Sequence, residues 1–241
     1  RGNSYLFHSE IIEDGLVIFG QEQMVVDWNF LNPDGNDYSS DPCLSINDDG
    51  QGMLGLTAYI PTCTDKHIPI FKLTDDHGYT FYGDYCDDYY YVPDEIFDDI
   101  LNSNSSLTND CKNDFDGYGE DIDYDQDGII EEVETGLNPV FPEEFFSWYT
   151  NDFRVDSEGN IHILSILTPT DGLDYGMYDY YNYYFGGATG IYHFTIDREY
   201  IDNPGPINTE TGWNWSFLAD LKWAFGSDVN NDGSPDIHYT V

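Results

Sequence analysis

Forty-seven acidic side chains stand against seven basic ones, which gives the chain a formal net charge of -40 at pH 7. Self-repulsion on that scale opposes every compact state and is the usual mark of disorder. The same chain holds 21 Tyr and 15 Phe, and aliphatic and aromatic residues make up 40% of it, an ordinary share for a chain with a folded core. Charge and fold are reconciled if divalent cations neutralise part of the acid. The charge also narrows the range of partners, because phosphate backbones and anionic lipid repel such a chain. Nucleic acid is excluded on that ground. No run of 18 apolar residues occurs, so direct membrane insertion through a helix is not expected. With 241 residues there is room for one sizeable domain or two small ones.

The chain starts at Arg1 within ordinary sequence, as a processed product would. Its cysteines, Cys43, Cys63, Cys86 and Cys111, match no zinc spacing. An even count without metal spacing favours two disulfides and an oxidising compartment, and buried free thiols are the other reading. Sequence does not fix the pairing. The pairs expected are Cys43–Cys63 and Cys86–Cys111, the second closing off an acidic segment.

Short β-rich runs separated by Asp and Gly turns predict a mostly β fold. The strands read are Leu16 to Phe19, Cys43 to Ile46, Met53 to Ile60, Ile68 to Leu73, Tyr79 to Tyr82, Phe153 to Val155, Ile161 to Leu167 and Gly190 to Ile196. Helix is scarce. Pro93 to Leu101 has Pro in its first turn and Ile96, Phe97, Ile100 and Leu101 on one face. Ile130 to Glu134 and Phe217 to Phe225 are the other helical readings.

Alignment by turn brings out a repeat. Asn47-Asp48-Asp49-Gly50, Asp156-Ser157-Glu158-Gly159 and Asn230-Asn231-Asp232-Gly233 each precede an apolar strand. The stretch from about Asp84 to Pro142 has a different, strongly acidic character and reads as an insertion. The expected organisation is therefore 1–83, an insertion at 84–142, and 143–241. The third copy stops at Val241 within its second strand, which leads to the expectation that the chain is a fragment of a longer one.

Thr74-Asp75-Asp76-His77-Gly78-Tyr79-Thr80-Phe81 fits the pattern Ser/Thr-x-Asp-x-Gly-x-Thr-Trp/Phe. Asp76 is placed to accept backbone amides across a turn. Gly78 suits a positive φ, and Phe81 suits packing back on the sheet. Thr195-Ile196-Asp197-Arg198-Glu199 is a degenerate version, with Glu in place of Gly. This pattern resembles the Asp-box, or bacterial neuraminidase repeat, found between the third and fourth strands of propeller blades in sialidase-like proteins. The resemblance covers roughly 41–83 and 151–200, and a turn in some other β fold is the competing reading. It implies a partial β-propeller of about three blade-like repeats, short of the roughly 4–8 that close a ring. It does not imply sialidase activity. That chemistry needs an arginine triad, a Tyr nucleophile and an acid, and this chain has no arginine beyond Arg1, Arg154 and Arg198, no Arg-Ile-Pro motif and no Tyr that the sequence singles out.

Asp123-Tyr124-Asp125-Gln126-Asp127-Gly128-Ile129-Ile130-Glu131-Glu132-Val133-Glu134 matches the calcium-loop pattern D-x-D-x-D-G-x₅-E. Calcium takes about 6–8 oxygen ligands. Asp123, Asp125 and Asp127 offer carboxylates, Ile129 its carbonyl, Glu131 a position often bridged by water, and Glu134 a bidentate carboxylate. The continuation Thr135-Gly136-Leu137-Asn138-Pro139 resembles thrombospondin type 3-like calcium repeats of secreted bacterial proteins. Asp114 to Asp121 offers a weaker second loop. Asp228-Val229-Asn230-Asn231-Asp232-Gly233-Ser234-Pro235-Asp236 is similar to the calcium loops of dockerins and integrin-like hairpins. Its ligands would be Asp228, Asn230, Asp232, Ser234 and Asp236. A solvated acidic turn is the competing reading for both loops.

Tyrosine-rich tracts at 85–91 and 175–184 suit sugar stacking, protein contacts or plain structural loops. His162 and His193 fall in strands and read as packed or outward-facing side chains. Together these features point to a non-catalytic, extracellular, calcium-binding module that engages a protein or glycan at the cell surface. Its style resembles surface proteins of Bacteroidota. The other readings are a glycan-active hydrolase related to sialidases and a structural subunit of a larger cell-surface, outer-membrane or secretion-associated complex.

Overall fold

The computed structural model describes residues 3–11, 15–31, 40–58, 67–84, 88–103, 144–170, 190–220, 222–225 and 237–240. The fold is mostly β. In order come β1 (Ser4–Ile11), β2 (Val17–Val26), α1 (Trp28–Leu31), β3 (Cys43–Ile46), β4 (Gly52–Ala58), β5 (Ile68–Thr74), β6 (Tyr90–Tyr91) and α2 (Asp94–Ser103). There follow β7 (Glu144–Val155), β8 (Ile161–Thr170), β9 (Gly190–Ile196), β10 (Asn214–Asp220), β11 (Lys222–Phe225) and β12 (Ile237–Thr240). No helix among the described residues is long and apolar enough to cross a membrane.

The chain forms two compact units. One comprises Arg1–Val92, Ser147–Ser165 and His193–Trp215, the other Pro93–Phe146, Ile166–Tyr192 and Ser216–Val241. The strands make two four-stranded sheets, in the orders β3-β4-β5-β6 and β10-β9-β8-β7, and two hairpins, β1-β2 and β11-β12. Strand order in each four-stranded sheet follows chain order, so each is a meander built from one stretch of sequence.

Local chemistry explains most elements. β4 is buried along its whole length and β5 along nearly all of it, so both read as apolar runs without strict alternation. β9 alternates buried and half-buried residues, the pattern of a strand with one face on a core. In the second unit, α2 buries Ile96, Phe97 and Ile100 and carries Asp94 and Glu95 in its first turn, where the helix dipole favours negative charge. Phe145 lies against both Phe97 and Tyr192, with ring centroids 6.2 and 6.0 Å away.

In the first unit Met53, Leu56, Ile70, Phe71, Leu73, Phe153, Ile161, Ile163, Phe194 and Ile196 are fully or almost fully buried. Phe153 fits a notch made by the missing side chain of Gly55. A Cβ on Gly55 would stand 2.0 Å from the Phe153 ring.

Three expectations are corrected. Phe217 to Phe225 is not helical, because its residues extend as β10 beside β9 and as β11 beside β12. Tyr79 to Tyr82 is not a strand. Tyr79 and Thr80 belong to the turn after β5, and only Tyr82 bridges back to Leu73. Cys43 is a free thiol and does not pair with Cys63. Its side chain faces β7, with Sγ 3.9 Å from both Asp152 Oδ1 and the Phe153 carbonyl. Cys63, Cys86 and Cys111 lie outside the described residues, as does Ile130 to Glu134.

Candidate functional site at the turn-bearing end of the first unit

Two hairpin turns of the first unit have the same construction. Asn47 Oδ1 accepts the amides of Asp49 and Gln51 at 3.1 and 3.0 Å. Asp156 Oδ1 accepts those of Glu158 and Asn160 at 2.9 Å each. The glycines that close the turns, Gly50 and Gly159, have φ of 84° and 86°, a left-handed conformation that a side chain would strain. In each turn a local side-chain acceptor replaces water for amides that the hairpin leaves unpaired. The turns also touch, since Asn47 Nδ2 donates to the Asp156 carbonyl at 3.0 Å. The third copy, at 230–233, falls in the segment between β11 and β12. Those strands pair antiparallel, Lys222 with Thr240 and Phe225 with Ile237, and the segment itself lies outside the described residues.

A third turn gathers Thr74, Asp76, Gly78, Thr80 and Phe81. Thr74 Oγ1 accepts the Gly78 amide at 2.9 Å and donates to Asp76 Oδ1 at 2.8 Å. Asp76 Oδ1 also accepts the Thr80 amide at 2.8 Å, and its Oδ2 accepts the Thr80 hydroxyl at 2.7 Å. The Thr80 amide, then the Thr80 hydroxyl, holds the Asp76 carboxyl below the usual carboxylate range. Phe81 reaches back over the turn, its Cζ 3.4 Å from where a Gly78 Cβ would sit.

Arg198, in the degenerate stretch after β9, ties these turns together. Its backbone amide donates to Asn160 Oδ1 at 3.3 Å. Its Nη2 donates to the Thr74 carbonyl and to Asp75 Oδ1, both at 2.7 Å, and to the Tyr82 hydroxyl at 3.1 Å. Residues Arg198–Tyr200 form a 3-10 turn here. Beside it opens a cavity of about 440 Å³ lined by Gln51, Glu158, Asn160, Asp197, Arg198 and Glu199. Its amides and exposed carboxylates are hydrogen-bonding groups for a polar ligand.

Two histidines meet next to the second turn. His162 Nδ1 lies 3.1 Å from His193 Nε2, and His162 Nε2 lies 3.4 Å from Asp156 Oδ2. The ring planes differ by only 13°. With His162 Nε2–H donating to Asp156, its Nδ1 accepts a hydrogen bond from His193 Nε2–H. The chain of bonds thus runs from imidazole to imidazole to carboxylate. Burial, then the neighbouring His162, pushes the His193 pKa below its ordinary value of 6.5. The unfolded chain therefore binds the proton more readily, and this contribution to stability, present above pH 6.5, is lost as pH falls through the depressed value. The urea midpoint of the wild type is expected to fall more between pH 7 and pH 5.5 than that of His193→Gln. Parallel pH dependences would show that the pair is thermodynamically silent.

The underside of the β1-β2 hairpin rests on the third turn. His8 stacks on Tyr79 with centroids 3.9 Å apart and planes within 5°. Gln23 Nε2 donates to the Tyr79 carbonyl at 3.1 Å, and Leu6 Cδ2 is 3.4 Å from the position of a Gly78 Cβ. Of the first tyrosine tract, Tyr89 and Tyr90 are buried. Burial raises the Tyr89 pKa to about 12, and the Tyr90 hydroxyl donates to Asp202 Oδ1 at 2.6 Å. These two rings therefore pack in the protein, while the tract at 175–184 lies outside the described residues.

The calcium-loop residues Asp123, Asp125, Asp127, Ile129, Glu131, Glu134, Asp228, Asn230, Asp232, Ser234 and Asp236 also lie outside the described residues. Among the described residues no group of three or more His, Cys, Asp or Glu side chains is arranged to hold a metal ion. The turn residues carried a sequence signal, but the histidine pair and the hairpin seat did not. His162 and His193 are 31 residues apart and meet only through the pairing of β8 with β9. Compared with known proteins, the chain matches no family model, no curated protein and no solved structure.

Proposed function

We propose that the chain is a non-catalytic extracellular binding module made of blade-like, propeller-type sheets and stiffened by calcium at residues 123–134 and 228–236. The observation that carries this reading is the equivalence of the two meanders. Each opens with an Asx-Gly turn between its first and second strands, Asn47 to Gly50 or Asp156 to Gly159. In each, a Thr-x-Asp stretch stands where the third strand ends and the connection to the fourth begins, Thr74 to Asp76 or Thr195 to Asp197. Repeated sheets of this kind form rigid frames whose loops do the binding. The carboxylates of Asp76 and Asp156 are committed to turn amides, which leaves them a structural task.

The test is retention of the purified chain on arrays of extracellular proteins and glycans with calcium and with EGTA, alongside assays with chromogenic glycosides. Calcium-dependent retention without glycoside turnover is expected. Turnover that is lost in Glu158→Gln or Glu199→Gln, at the polar cavity, would replace the binding reading with that of a glycan-active hydrolase.

A further inference from the structure

The outward face of the β1-β2 hairpin is apolar where a solvated hairpin would be polar. Strand alternation and register place Tyr5, Phe7, Val17, Phe19 and Met24 on one face. Tyr5 pairs with Met24, Phe7 with Glu22, Ser9 with Phe19 and Ile11 with Val17. The five large apolar side chains are between 45% and 67% exposed, with Phe19 the most open. The three rings alone present on the order of 300 Å² if each shows half of the roughly 150–250 Å² an aromatic side chain buries. That area is at the scale of the largest apolar patch on a typical monomer, which is often functional. The opposite face is seated on the third turn through His8, Gln23 and Leu6, so the patch is held on a frame.

Charge decides among occupants. Residues 2–31 contain no Lys or Arg, and Glu22 lies on the patch face, paired with Phe7. A second copy would bring another net charge of -40 to the same surface. The face offers a sugar few groups to hydrogen-bond, with Ser9 and Glu22 as its polar side chains.

We propose that this face docks a polypeptide segment of a partner protein that is apolar on one side and carries Lys or Arg. The apolar side covers Tyr5, Phe7, Val17, Phe19 and Met24, and a cation meets Glu22. This rests on the binding-module reading and names the partner class. It is tested separately from that reading, because glycoside turnover would sink the module reading without deciding what the hairpin binds.

The experiment measures fluorescence anisotropy of three labelled peptides against the full chain: one alternating Val and Lys, one alternating Ser and Lys, and one alternating Val and Glu. The Val–Lys peptide should bind most tightly, and Phe7→Ser/Phe19→Ser should weaken it by about tenfold or more, as removal of central aromatic contacts does. The circular dichroism spectrum and urea midpoint should be unchanged, because both rings are exposed. Phe19→Ser alone, at the most open position, serves if the double variant does not fold. Equal binding of the Val–Lys and Ser–Lys peptides would reduce the effect to bulk charge and overturn the proposal. So would undiminished binding by a folded variant, or no binding by the wild type. A wild-type dimer in sedimentation that the double variant abolishes would make a second copy the occupant. Phosphatidylcholine vesicles bound by the wild type alone would make it a lipid surface.

Discussion

In the Phe153→Ala protein the first unit is expected to lose about 3–5 kcal/mol of stability, the usual cost of deleting a buried phenyl ring. The ring is fully buried and sits in the notch over Gly55, where strand β4 has no side chain to fill the space it would leave. Against a typical margin of about 5–15 kcal/mol the loss is large, and it should lower the melting temperature by roughly 10 °C or more. Gly55→Ala alone should also destabilise, by about 1–3 kcal/mol, because its methyl would collide with the ring. Combined with Phe153→Ala, the same methyl enters vacated space, so the two costs should not add. A double-mutant cycle in urea reads the coupling. Simple additivity would mean that the ring and the glycine do not constrain each other.

Calcium removal is expected to have the second large effect. Carboxylates clustered in one loop lie closer than the Debye length of about 8 Å at physiological salt, so dissolved ions do not screen them from each other. Ions bound at Asp123 to Glu134, where six of twelve residues are acidic, and at Asp228 to Asp236 would neutralise clustered charge. At a hundredfold excess over Kd each site adds about 2.7 kcal/mol to a state that binds only when folded, or about 5 kcal/mol for two. EGTA should therefore lower the melting temperature markedly. Magnesium should restore little of it, since it demands tighter octahedral geometry and gives up water reluctantly. Asp125→Ala should reproduce part of the shift. A melting curve indifferent to EGTA would show that the acid is solvated surface.

Where structure depends on neighbours in sequence, the residues announced it. Asn47 to Gly50 and Asp156 to Gly159 read as turns because an Asx acceptor and a left-handed glycine act within four residues, and both are turns. Pro93 with Ile96, Phe97 and Ile100 announced α2 in the same way. Cys43 to Ile46 and Gly190 to Ile196 are bounded by turn signals on both sides, and β3 and β9 have those limits.

Where a distant partner decides, the reading failed. Phe217 to Phe225 read as helix, but pairing with β9 extends its first part within β10 and pairing with β12 extends its last part as β11. Tyr79 looked like strand, yet Asp76 draws the following amide into the turn. β1 was passed over because its alternating Tyr5 and Phe7 face solvent, so the pattern that normally signals a buried face signals an open one here. Within the candidate site, the turn side chains were legible. The role of Arg198 was not, because its contacts on Thr74 and Asp75 lie more than 120 residues away, at separations of 124 and 123.

The meander order also sets a timetable for folding. In the first four-stranded sheet the ladder joins Cys43 to Gly55, Gly52 to Thr74 and Ala58 to Ile68, all close neighbours along the chain. Hairpins of this kind form in microseconds. The bond from Asn47 to the Asp156 carbonyl spans 109 residues and waits for a long loop to close. A chain emerging from its N-terminus completes the first sheet while the Gly55 notch is still empty and the β3 edge still bare. In that interval an uncharged chain would be prone to pair with its neighbours. Here a net charge of -40 opposes such pairing through repulsion between copies.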